Sequence, residues 1–500
     1  MKSSKPLGAI VMAAGMGTRM RSRTAKVLHA LAGVPLIRYP LRMLAALGAQ
    51  PLIVIVGHQA EEVIAACGGF GAGFAHQREP RGTGHAVQCA DQLRDFAGDL
   101  LILPSDLPLL RPETLRALVD AHRSSDAALS LLTATVAEPH GYGRIVRDHG
   151  RIARVVEQRD AGPAEDSIRE INVGVYCAEA AFLFPALDRL EPNNAQGELY
   201  LTDIVAQAAA AGRIIADASV VEGDVAQVSS REDLADVERT LRLRLARHWM
   251  TEGVTLEDPE TAYIGPDVVI GRDTVIGPNV TLRGRTQLGS DCRLDGSTRI
   301  VDSIVGNGVN IKFGVVAAEA RIGDRCVVGP FAQLRPGTHL AAEVHIGDFV
   351  ETKNAIIGTG TKANHLAYIG DAEIGRDANV GAGTITCNYD GFRKHRTIIG
   401  DRVQIGSDSQ LIAPVTVGDD AYIATATTVR DDVPAGALAY TTKEQRHRPG
   451  WVAARRKREA QPVSPPRNAS QPQDRKQSKS AAKRRAVAKL RRPSAGKKRR

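Results

Sequence analysis

The sequence predicts an α/β Rossmann-like domain followed by an all-β domain built as a parallel β-helix. Two observations carry this prediction: apolar runs alternate with helical patterns through the first half of the chain, and a six-residue repeat runs through the second half. A basic segment with almost no aliphatic residues comes last and is expected to be disordered. The expected boundaries are 1–229 for the α/β domain, 230–250 for a linker helix, 251–450 for the β-helix and 451–500 for the tail.

The first half of the chain has the pattern of a mostly parallel sheet covered by helices on both faces. Its opening apolar run, residues 7–14, is a candidate buried strand and leads directly into glycines. Helical patterns such as 34–47 and 112–122 separate it from later runs. Those later runs lie at 51–56, 100–103, 128–136 and 172–176. Ligands of such sheets bind beyond the carboxyl ends of the strands, so we expect a site there.

The residues after the first strand are suited to bind phosphate. Gly15 and Gly17 let backbone N–H groups approach anionic oxygens closely, and Arg19 and Lys26 add positive charge. The segment lacks the third glycine of a dinucleotide fingerprint and the Gly-Lys-Ser/Thr of a P-loop. Asp106 follows another apolar strand, at a position where such a sheet presents a metal ligand.

These segments resemble the sugar-nucleotide pyrophosphorylases. The signature of that family is similar to AAGMGTRM at 13–20 followed by KVL at 26–28, although Ala25 stands where the family usually has proline. The family's uridine- and sugar-binding segments are similar to Gln77, GTGHA at 82–86, PSD at 104–106, GYGR at 141–144, Glu157, EINVG at 170–174 and NNAQGELYLTD at 193–203.

This resemblance implies uridylyl transfer from UTP to N-acetylglucosamine 1-phosphate, with Mg²⁺ as the cofactor. Arg19 would hold the triphosphate, Lys26 the phosphate at the reacting centre, and Asp106 the metal. The other substrate-binding positions implied by the resemblance are Met12, Ala13, Ala14, Gly15, Gln77, Gly82, Thr83, Pro104, Ser105, Gly143, Glu157, Asn172 and Ser229.

Ser229 is a departure from the family pattern. The family usually places a second metal-binding asparagine near the end of this domain, and Ser229 occupies the aligned position. A neutral hydroxyl is a poor ligand for Mg²⁺, which readily keeps its waters. Ser229 to Glu232 also fits a Ser-x-x-Glu capping box. A water-mediated metal contact and helix capping therefore both stay open. The helix expected to follow, over 230–250, is amphipathic.

An aliphatic residue recurs every six positions in the second half of the chain. This period fits neither a helix nor a hairpin strand; it is the repeat of a parallel β-helix, with three hexads a coil and roughly nine coils. The period breaks at 312–320 and 388–396, which we expect to be loops. The predicted inward residues are Ile264, Ile270, Ile276, Leu282, Leu288, Leu294, Ile300, Ile322, Val328, Leu334, Leu340, Ile346, Ile374, Val380, Ile399, Ile405, Leu411, Val417, Ile423 and Val429.

This repeat resembles the hexapeptide-repeat acyltransferases, whose left-handed β-helices form trimers with sites between neighbouring subunits. The resemblance implies that Arg335 and Lys353 bind a sugar phosphate and that Tyr368 and Asn379 hold the sugar. Thr425 and Thr442–Lys443 depart from the family pattern, and either change would weaken binding of the CoA phosphates. The implied acetyl-CoA site comprises Ala382, Asn388, Tyr389, Ser407, Thr425 and Thr442.

Acetyl transfer to an amine needs a general base, because glucosamine is largely an ammonium ion at neutral pH. Histidine is the usual base in this range. His365 lies among the polar residues that interrupt the repeat and is the candidate; His339 and His345 lack such neighbours. By resemblance to the family, we expect a homotrimer.

Over about residues 5–451 the chain is similar to bacterial bifunctional enzymes that join UDP-N-acetylglucosamine pyrophosphorylase to glucosamine-1-phosphate N-acetyltransferase. The resemblance implies synthesis of UDP-N-acetylglucosamine for peptidoglycan and lipopolysaccharide precursors, from glucosamine 1-phosphate, acetyl-CoA and UTP. Two alternatives stay open. One is a pyrophosphorylase whose β-helix only assembles the trimer. The other is a nucleotide-sugar-binding regulator that uses the basic tail on nucleic acid.

Charge and cysteine content bound the remaining possibilities. The chain carries +9, of which residues 451–500 contribute +16, so residues 1–450 carry −7. The tail would bind nucleic acid or an anionic lipid surface by counterion release, or serve as a solubilising extension. Six cysteines without a CxxC motif indicate a reducing, cytoplasmic location. No apolar run approaches the roughly 18 residues of a membrane helix.

Overall fold

The computed structural model describes residues 5–442 and 444–460. The chain divides into one unit that ends at Thr441 and a second that begins at Thr442. The first unit holds an α/β domain, a connecting helix and a β-helix. The α/β domain has 3-10 turns at Thr18–Met20, Lys26–Leu28, Asp91–Leu93 and Glu222–Asp224.

The α/β domain contains eleven strands and seven helices, and α8 connects it to the β-helix. The strands are β1 (Leu7–Met12), β2 (Ala30–Leu31), β3 (Val34–Pro35), β4 (Leu52–Val56), β5 (Gly73–His76), β6 (Asp99–Pro104), β7 (Leu129–Thr135), β8 (Gly143–Asp148), β9 (Arg151–Val156), β10 (Glu170–Glu179) and β11 (Ile215–Ser219). The helices are α1 (Arg38–Leu47), α2 (Ala60–Ala66), α3 (Thr83–Gln88), α4 (Pro112–Ser124), α5 (Pro163–Asp166), α6 (Ala180–Leu187), α7 (Asp203–Ala210) and α8 (Arg231–Thr251).

The central sheet has the order β11-β7-β10-β6-β1-β4-β5, and the hairpin of β8 and β9 joins it at β10. Its pairings are parallel except those of β10 and within the hairpin. Two clusters of buried aliphatic residues pack against the sheet, one led by Val11, Val54 and Leu103 and the other by Ile10, Ile55 and Ile102. Successive strand residues point to opposite faces, so both faces are covered. This confirms the predicted α/β class.

The register of β1 and β6 brings two predicted functional segments to one edge of the sheet. Met12 pairs with Pro104, so the glycine loop after β1 and Asp106 after β6 leave the sheet side by side. The helix predicted over 34–47 is shorter than expected. Val34 pairs with Leu31 in a small antiparallel hairpin, with Gly33 at φ 87° in the turn, and α1 begins only at Arg38.

The capping box at the start of α8 lies one residue later than predicted. Ser230 Oγ accepts from the backbone N–H of Asp233 at 3.1 Å, and Asp233 Oδ2 accepts from the N–H of Ser230 at 2.8 Å. The expected box of Ser229 and Glu232 is therefore wrong. Asp233 also accepts from the N–H of Ser229 at 2.9 Å, so Ser229 contributes its backbone while its side chain is buried.

The β-helix consists of short parallel strands, each paired with the corresponding strand one coil further on. The strands are β12 (Thr255–Leu256), β13 (Tyr263–Ile264), β14 (Val269–Ile270), β15 (Val275–Ile276), β16 (Thr281–Arg283), β17 (Gln287–Leu288), β18 (Arg293–Leu294), β19 (Arg299–Val301), β20 (Ile304–Val305), β21 (Asn310–Ile311), β22 (Val316–Ala318), β23 (Arg321–Ile322), β24 (Val327–Val328), β25 (Gln333–Leu334), β26 (His339–Leu340), β27 (His345–Asp348), β28 (Glu351–Ile357), β29 (Lys362–His365), β30 (Tyr368–Ile374), β31 (Asn379–Val380), β32 (Ile385–Cys387), β33 (Thr397–Ile399), β34 (Gln404–Ile405), β35 (Gln410–Ile412), β36 (Val415–Val417), β37 (Tyr422–Ile423), β38 (Thr428–Val429) and β39 (Leu438–Ala439).

The inward residues form one continuous aliphatic core. Every residue predicted to point inward, from Ile264 to Val429, is buried in that core. The core confirms the six-residue repeat, because a coil buries its aliphatic side chains only against the coils above and below it. Trp249 of α8 packs against the first coils.

One of the two predicted loops is wrong and the other is confirmed. Residues 312–320 contain the regular strand β22. The period shifts there because Ile300 and Val305 are successive inward residues only five positions apart. That coil is therefore 17 residues long instead of 18, and Arg293 pairs with Asn310. The segment 388–396 is a real excursion, since Glu373 pairs with Ile398, 25 residues on.

Residues 451–459 form a helix, α9 (Trp451–Glu459), where the composition predicted disorder. Arg455 contributes to this helix: its Nε donates to Glu459 at 2.9 Å, and its guanidinium lies 5.5 Å from the centre of the Trp451 ring. Residues 461–500, the rest of the predicted tail, lie outside the described residues. Within the described part of the chain, no helix is both long and apolar enough to cross a membrane.

Replacing Ile300 by Ala tests the stacked core. Ile300 is fully buried between Leu282 and Ala317, so the free energy of unfolding of the β-helix should fall by about 2–5 kcal/mol. Circular dichroism during chemical denaturation measures the change. Arg299→Ala alters the exposed neighbour on the same strand and should cost about 0.5 kcal/mol or less. Equal losses for the two variants would contradict the stacked arrangement.

Candidate active sites

The first candidate site lies where β1 and β6 end. The loop after β1 is held by the N–H of Ala13, which donates to the carbonyl of Ile55 at 2.9 Å. Gly17 has φ 62°, and a Cβ atom there would lie 2.5 Å from the Cβ of Lys26. Only glycine allows this approach, which brings Lys26 under the loop and its ammonium group against the carboxylate of Asp106.

Asp106 is buried and uses only one of its two carboxylate oxygens. Its Oδ2 accepts from Lys26 Nζ and from Gln227 Nε2, the latter at 2.9 Å. Its Oδ1 is buried without a partner among residues 5–442 and 444–460. Val228 N donates to the Asp106 carbonyl at 3.0 Å, which fixes the segment of Gln227 beside it. The free oxygen fits a cation, because a carboxylate carries negative charge and an unsatisfied buried oxygen is costly.

The site offers few protein ligands to a metal. In the described ranges, no three His, Cys, Asp or Glu side chains come together as a metal cluster. Mg²⁺ is commonly held by one or two carboxylates together with waters and substrate phosphates, so Asp106 alone is compatible with it. Ser229 directly follows Gln227 and Val228, which both donate to Asp106, and its side chain is buried.

Gln77 and the start of α3 form the second wall of this site. Gln77 Nε2 donates to the carbonyl of Gly82 at 3.1 Å. Gly82 has φ 108°, and a Cβ atom there would lie 2.5 Å from the carbonyl oxygen of Leu199. Thr83 Oγ1 accepts from the N–H of Leu201 at 3.0 Å. These contacts pin the predicted uridine-binding segment to residues 199–201, which the sequence assigned to a separate family segment.

A cavity of about 210 Å³ opens beyond the sheet and gathers many of the predicted residues. The predicted residues that line it are Met12, Thr83, Pro104, Gly143, Glu157 and Asn172. Lining residues absent from the predicted site are Gly141, Tyr142, Val173, Gly174, Tyr176, Leu201, Thr202 and Gln227. Several of these residues belong to segments that resemble the family, so the resemblance of those segments could have identified them as site residues. Nothing in the local sequence pointed to Gln227, which reaches the site from 121 residues beyond Asp106.

Asn172 is aimed into the cavity by an irregularity in β10. The pairing of β10 with β7 shifts between Asn172 and Tyr176, and Gly174 has φ 83° at that point. Asn172 Nδ2 donates to the Tyr176 hydroxyl at 2.6 Å, and its Oδ1 accepts from the N–H of Gly174 at 3.1 Å. Both ends of the amide are therefore fixed.

Glu157 carries an unusual carboxyl group on the opposite wall. Burial raises the pKa of Glu157 above its usual value, while the hydrogen bond that Thr202 Oγ1 donates to it at 3.1 Å opposes the shift. Asp203 and Asp160 raise it further by repulsion. Ala14 and Ser105 are also buried at this edge, whereas Gly15 and Arg19 are exposed on the loop after β1.

The second candidate site lies on the β-helix. Five residues stack in successive coils, each two positions after an inward residue of the sheet that contains β27 and β29; we call them the corner column. They are Asp348, His365, Ala382, Ser407 and Thr425. The sequence predicted the last four and missed Asp348. His365 Nδ1 lies 2.5 Å from Asp348 Oδ1.

A group of cations lies on the adjoining face. Arg335 NH1 donates to Glu351 at 2.6 Å. Lys353 stands on the same strand as Glu351, and the ammonium of Lys394, followed by the guanidinium of Arg335, holds the pKa of Lys353 below its usual range. Three cations forced together in this way are suited to bind a phosphate. Lys394 belongs to the excursion at 388–396 and was not predicted as a site residue.

A chain of amides and carboxylates fixes Asn388 beside these cations. Asp371 accepts from Asn354 Nδ2 at 2.6 Å and from Asn388 Nδ2 at 2.5 Å. Asn388 Nδ2 also lies 3.5 Å from the hydroxyl of Tyr368. Tyr389 is exposed, and its hydroxyl donates to the carbonyl of Gly391 at 2.6 Å.

The predicted residues still to be described are Asn379 and Thr442. Asn379 is half-buried on β31, on the sheet that leads into the corner column. Thr442 is exposed and belongs to the second unit, and Lys443 lies outside the described residues. Cys387 is a free thiol whose pKa is raised by burial.

Known proteins match both halves of the chain. The MobA-like NTP transferase domain matches residues 9–190, and the hexapeptide repeat of succinyl-transferase matches residues 396–429. The bifunctional protein GlmU of Pelobacter propionicus is 50% identical over 466 residues, which cover 89% of this chain and 98% of the relative. Those of Trichlorobacter lovleyi and an Anaeromyxobacter strain are 48% and 50% identical, over 90% and 92% of this chain and 98% and 95% of the relatives.

Replacing Glu157 by Gln should stabilise the protein more at pH 7.5 than at pH 5. The raised pKa means that the folded state holds its proton more tightly than the unfolded state. Stability is therefore lost as pH rises from the unfolded pKa through the folded one, and Gln removes that loss. Differential scanning fluorimetry of both proteins at both pH values measures the difference.

The exposed Glu113→Gln variant makes the same charge change on α4 and serves as the control. A gain for Glu157→Gln that is the same at both pH values, or larger at pH 5, would contradict the buried-carboxyl interpretation.

Proposed function

The chain belongs to the GlmU family of bifunctional proteins, and from this premise we propose how its two sites work. It carries acetyltransferase and uridylyltransferase activity and makes UDP-N-acetylglucosamine from glucosamine 1-phosphate, acetyl-CoA and UTP. The observation that carries the proposal is that one chain holds both a Lys26–Asp106 pair at the end of a parallel sheet and the corner column, with its Asp348–His365 pair, on a β-helix. The product feeds peptidoglycan and lipopolysaccharide precursors.

Uridylyl transfer is assigned to the site at the ends of β1 and β6. An oxygen of N-acetylglucosamine 1-phosphate attacks the α-phosphorus of UTP, and pyrophosphate leaves. The nucleophile is already ionised at neutral pH, so the protein supplies positioning and positive charge rather than a base. Arg19 holds the triphosphate and Lys26 the reacting phosphate. The cavity of Glu157 and Asn172 receives the sugar, and Gln77, Gly82 and Thr83 hold the uridine.

Mg²⁺ is the proposed cofactor, held by the free Oδ1 of Asp106. When bound, it neutralises charge on the phosphate oxygens. Ser229, next to the segment that contacts Asp106, acts through a water rather than as a direct ligand, because a hydroxyl is a weak ligand for this ion. Lys26 already neutralises the other oxygen of Asp106, so the chain's own positive charge shares this task.

Acetyl transfer is assigned to the corner column. Arg335 and Lys353, with Lys394, bind the phosphate of glucosamine 1-phosphate, and Tyr368 and Asn379 hold the sugar. His365 takes a proton from the amine, which then attacks the acetyl thioester and displaces CoA. The acetyl-CoA is proposed to lie along Ala382, Asn388, Tyr389, Ser407 and Thr425 of the first unit; the role of Thr442 stays a prediction from the sequence.

We propose the homotrimer that the resemblance implies, and an apolar ladder beside the corner column supports association of subunits. Phe313, Phe331, Phe349 and Leu366 follow one another in successive coils and are 47–60% exposed. The ring centres of Phe331 and Phe349 are 5.5 Å apart, with the planes nearly parallel. Exposed contiguous apolar side chains are typical of association surfaces. Association through this ladder would bring a second subunit next to His365, which adjoins Leu366 in the chain.

Two further proposals concern the tail and the location of the protein. The 18 basic residues of 451–500 support binding of nucleic acid or another polyanion; apart from α9 and the residue after it, they lie outside the described residues. All six cysteines lie in the described ranges and are free thiols, which supports a cytoplasmic location.

Replacing His365 by Ala should separate the two activities. Acetylation should fall by at least about 100-fold because the general base is lost, while uridylylation of supplied N-acetylglucosamine 1-phosphate should stay unchanged. Lys26→Ala should do the reverse, because its positive charge serves only the first site. Separate assays of released CoA thiol and of released pyrophosphate measure the two steps.

The control is His339→Ala, which removes an exposed histidine from a neighbouring face of the β-helix and should change neither activity. A His365→Ala enzyme with full acetylation would overturn the assignment of the base. Absence of acetylation in the unmodified chain would favour a β-helix that only assembles subunits.

A further inference from the structure

Asp348 and His365 face each other across one coil of the β-helix. Asp348 ends β27 and His365 ends β29, and the two residues are aligned in the parallel pairing of these strands. The separation of 17 residues is one coil, so the backbone places the two side chains one above the other. Their atoms Oδ1 and Nδ1 lie 2.5 Å apart, a short distance for a hydrogen bond.

The contact fixes which nitrogen of His365 is free. An ionised carboxylate only accepts hydrogen bonds, so His365 must donate from Nδ1. In the neutral ring, the proton then resides on Nδ1 and the lone pair on Nε2. The imidazole is 62% exposed and the carboxylate 35%, so Nε2 remains open to a substrate.

We propose that Asp348 is the positioning residue of the acetyl-transfer site: it holds His365 in the tautomer with a free Nε2 and stabilises the imidazolium that forms when the amine loses its proton. This inference rests on the proposed function of His365. In the step itself, which starts from the neutral amine, a proton passes from the glucosamine nitrogen to Nε2. The nitrogen forms a bond to the acetyl carbon, the C–S bond breaks, and the CoA thiolate takes the proton from Nε2.

The residues around the pair make the negative charge of Asp348 important for His365. A cavity of about 190 Å³ adjoins it, lined by Lys312, His345, Asn364 and both members of the pair. Lys362, on the same strand as His365, is exposed on the outer surface. Among the described residues that line this cavity, Asp348 is the only acidic one; the other ionisable side chains there are Lys312, His345 and His365. Without it, a positive charge on His365 would face only Lys312 and His345.

Asp348→Asn tests the inference because it keeps the shape and removes the charge. We expect kcat for acetyl transfer to fall by about 10- to 1,000-fold, while KM for glucosamine 1-phosphate changes by less than about 3-fold. The rising limb of kcat against pH should move to lower pH, since the imidazolium loses its stabilising partner. Asp348→Glu, which restores the carboxylate, should recover part of the activity.

Two comparisons separate this inference from the proposed function. If His365→Ala abolishes acetylation, the double variant with Asp348→Asn should lose no more, because both residues act through one group. If His365→Ala keeps full acetylation, the proposed base itself is wrong. If His365→Ala loses activity but Asp348→Asn keeps both its rate and the position of its pH limb, only the role of Asp348 is overturned.

Glu343→Gln is the matched control. Glu343 accepts from Arg325 at 2.9 Å on the same β-helix, so the variant removes one exposed carboxylate from an ion pair outside the site. It should leave acetyl transfer unchanged, and uridylylation should be unchanged in every variant. A loss of acetylation in Glu343→Gln equal to that in Asp348→Asn would show a general charge effect and overturn the inference.

Discussion

Hydrogen bonding between successive coils decides which residues meet on the β-helix. Each strand pairs in parallel with the strand one coil further on, so side chains 17 or 18 residues apart stack at a spacing of about 4.8 Å. The aliphatic core enforces this register, because a slip by one residue would turn the inward side chains outward. Asp348 above His365 and the series Asn354, Asp371 and Asn388 both follow from it. The chemistry of the second site is thus a product of the repeat.

The α/β domain also brings residues that are distant in the sequence together, but by a different arrangement. Its sheet brings the loop after β1 and the residues after β6 to one edge, and long-range contacts complete the site there. Gly17 allows Lys26 to approach, and Gln227 arrives from the far end of the domain to contact Asp106. The ammonium of Lys26 and the carboxylate of Asp106 pair before substrate arrives, and one oxygen of Asp106 is left without a partner among the described residues. A buried oxygen without a hydrogen-bond partner lowers the free energy of unfolding unless a ligand or an ion binds it.

Periodicity was enough to predict both fold classes, and the resemblance to known families supplied many of the residues that lie at the two candidate sites. The strict six-residue period failed where a corner shortens from six residues to five, so Val305, Ile311 and Ala317 were missed and a loop was predicted in place of β22. The capping box was misplaced by one residue, because Ser229 and Ser230 both fit the pattern and only the observed hydrogen bonds distinguish them. Asp348, Lys394 and Gln227 carry no local signal, since each reaches its candidate site through a partner that is distant in the chain.

The most direct test is to incubate the purified chain with glucosamine 1-phosphate, acetyl-CoA labelled with ¹³C in the acetyl group, UTP and Mg²⁺, and to identify the products by mass spectrometry. Two working sites predict UDP-N-acetylglucosamine that carries the labelled acetyl group, together with free CoA and pyrophosphate. Labelled N-acetylglucosamine 1-phosphate without any UDP-sugar would contradict the uridylyl site. Label that stays in acetyl-CoA would contradict the assignment of the corner column.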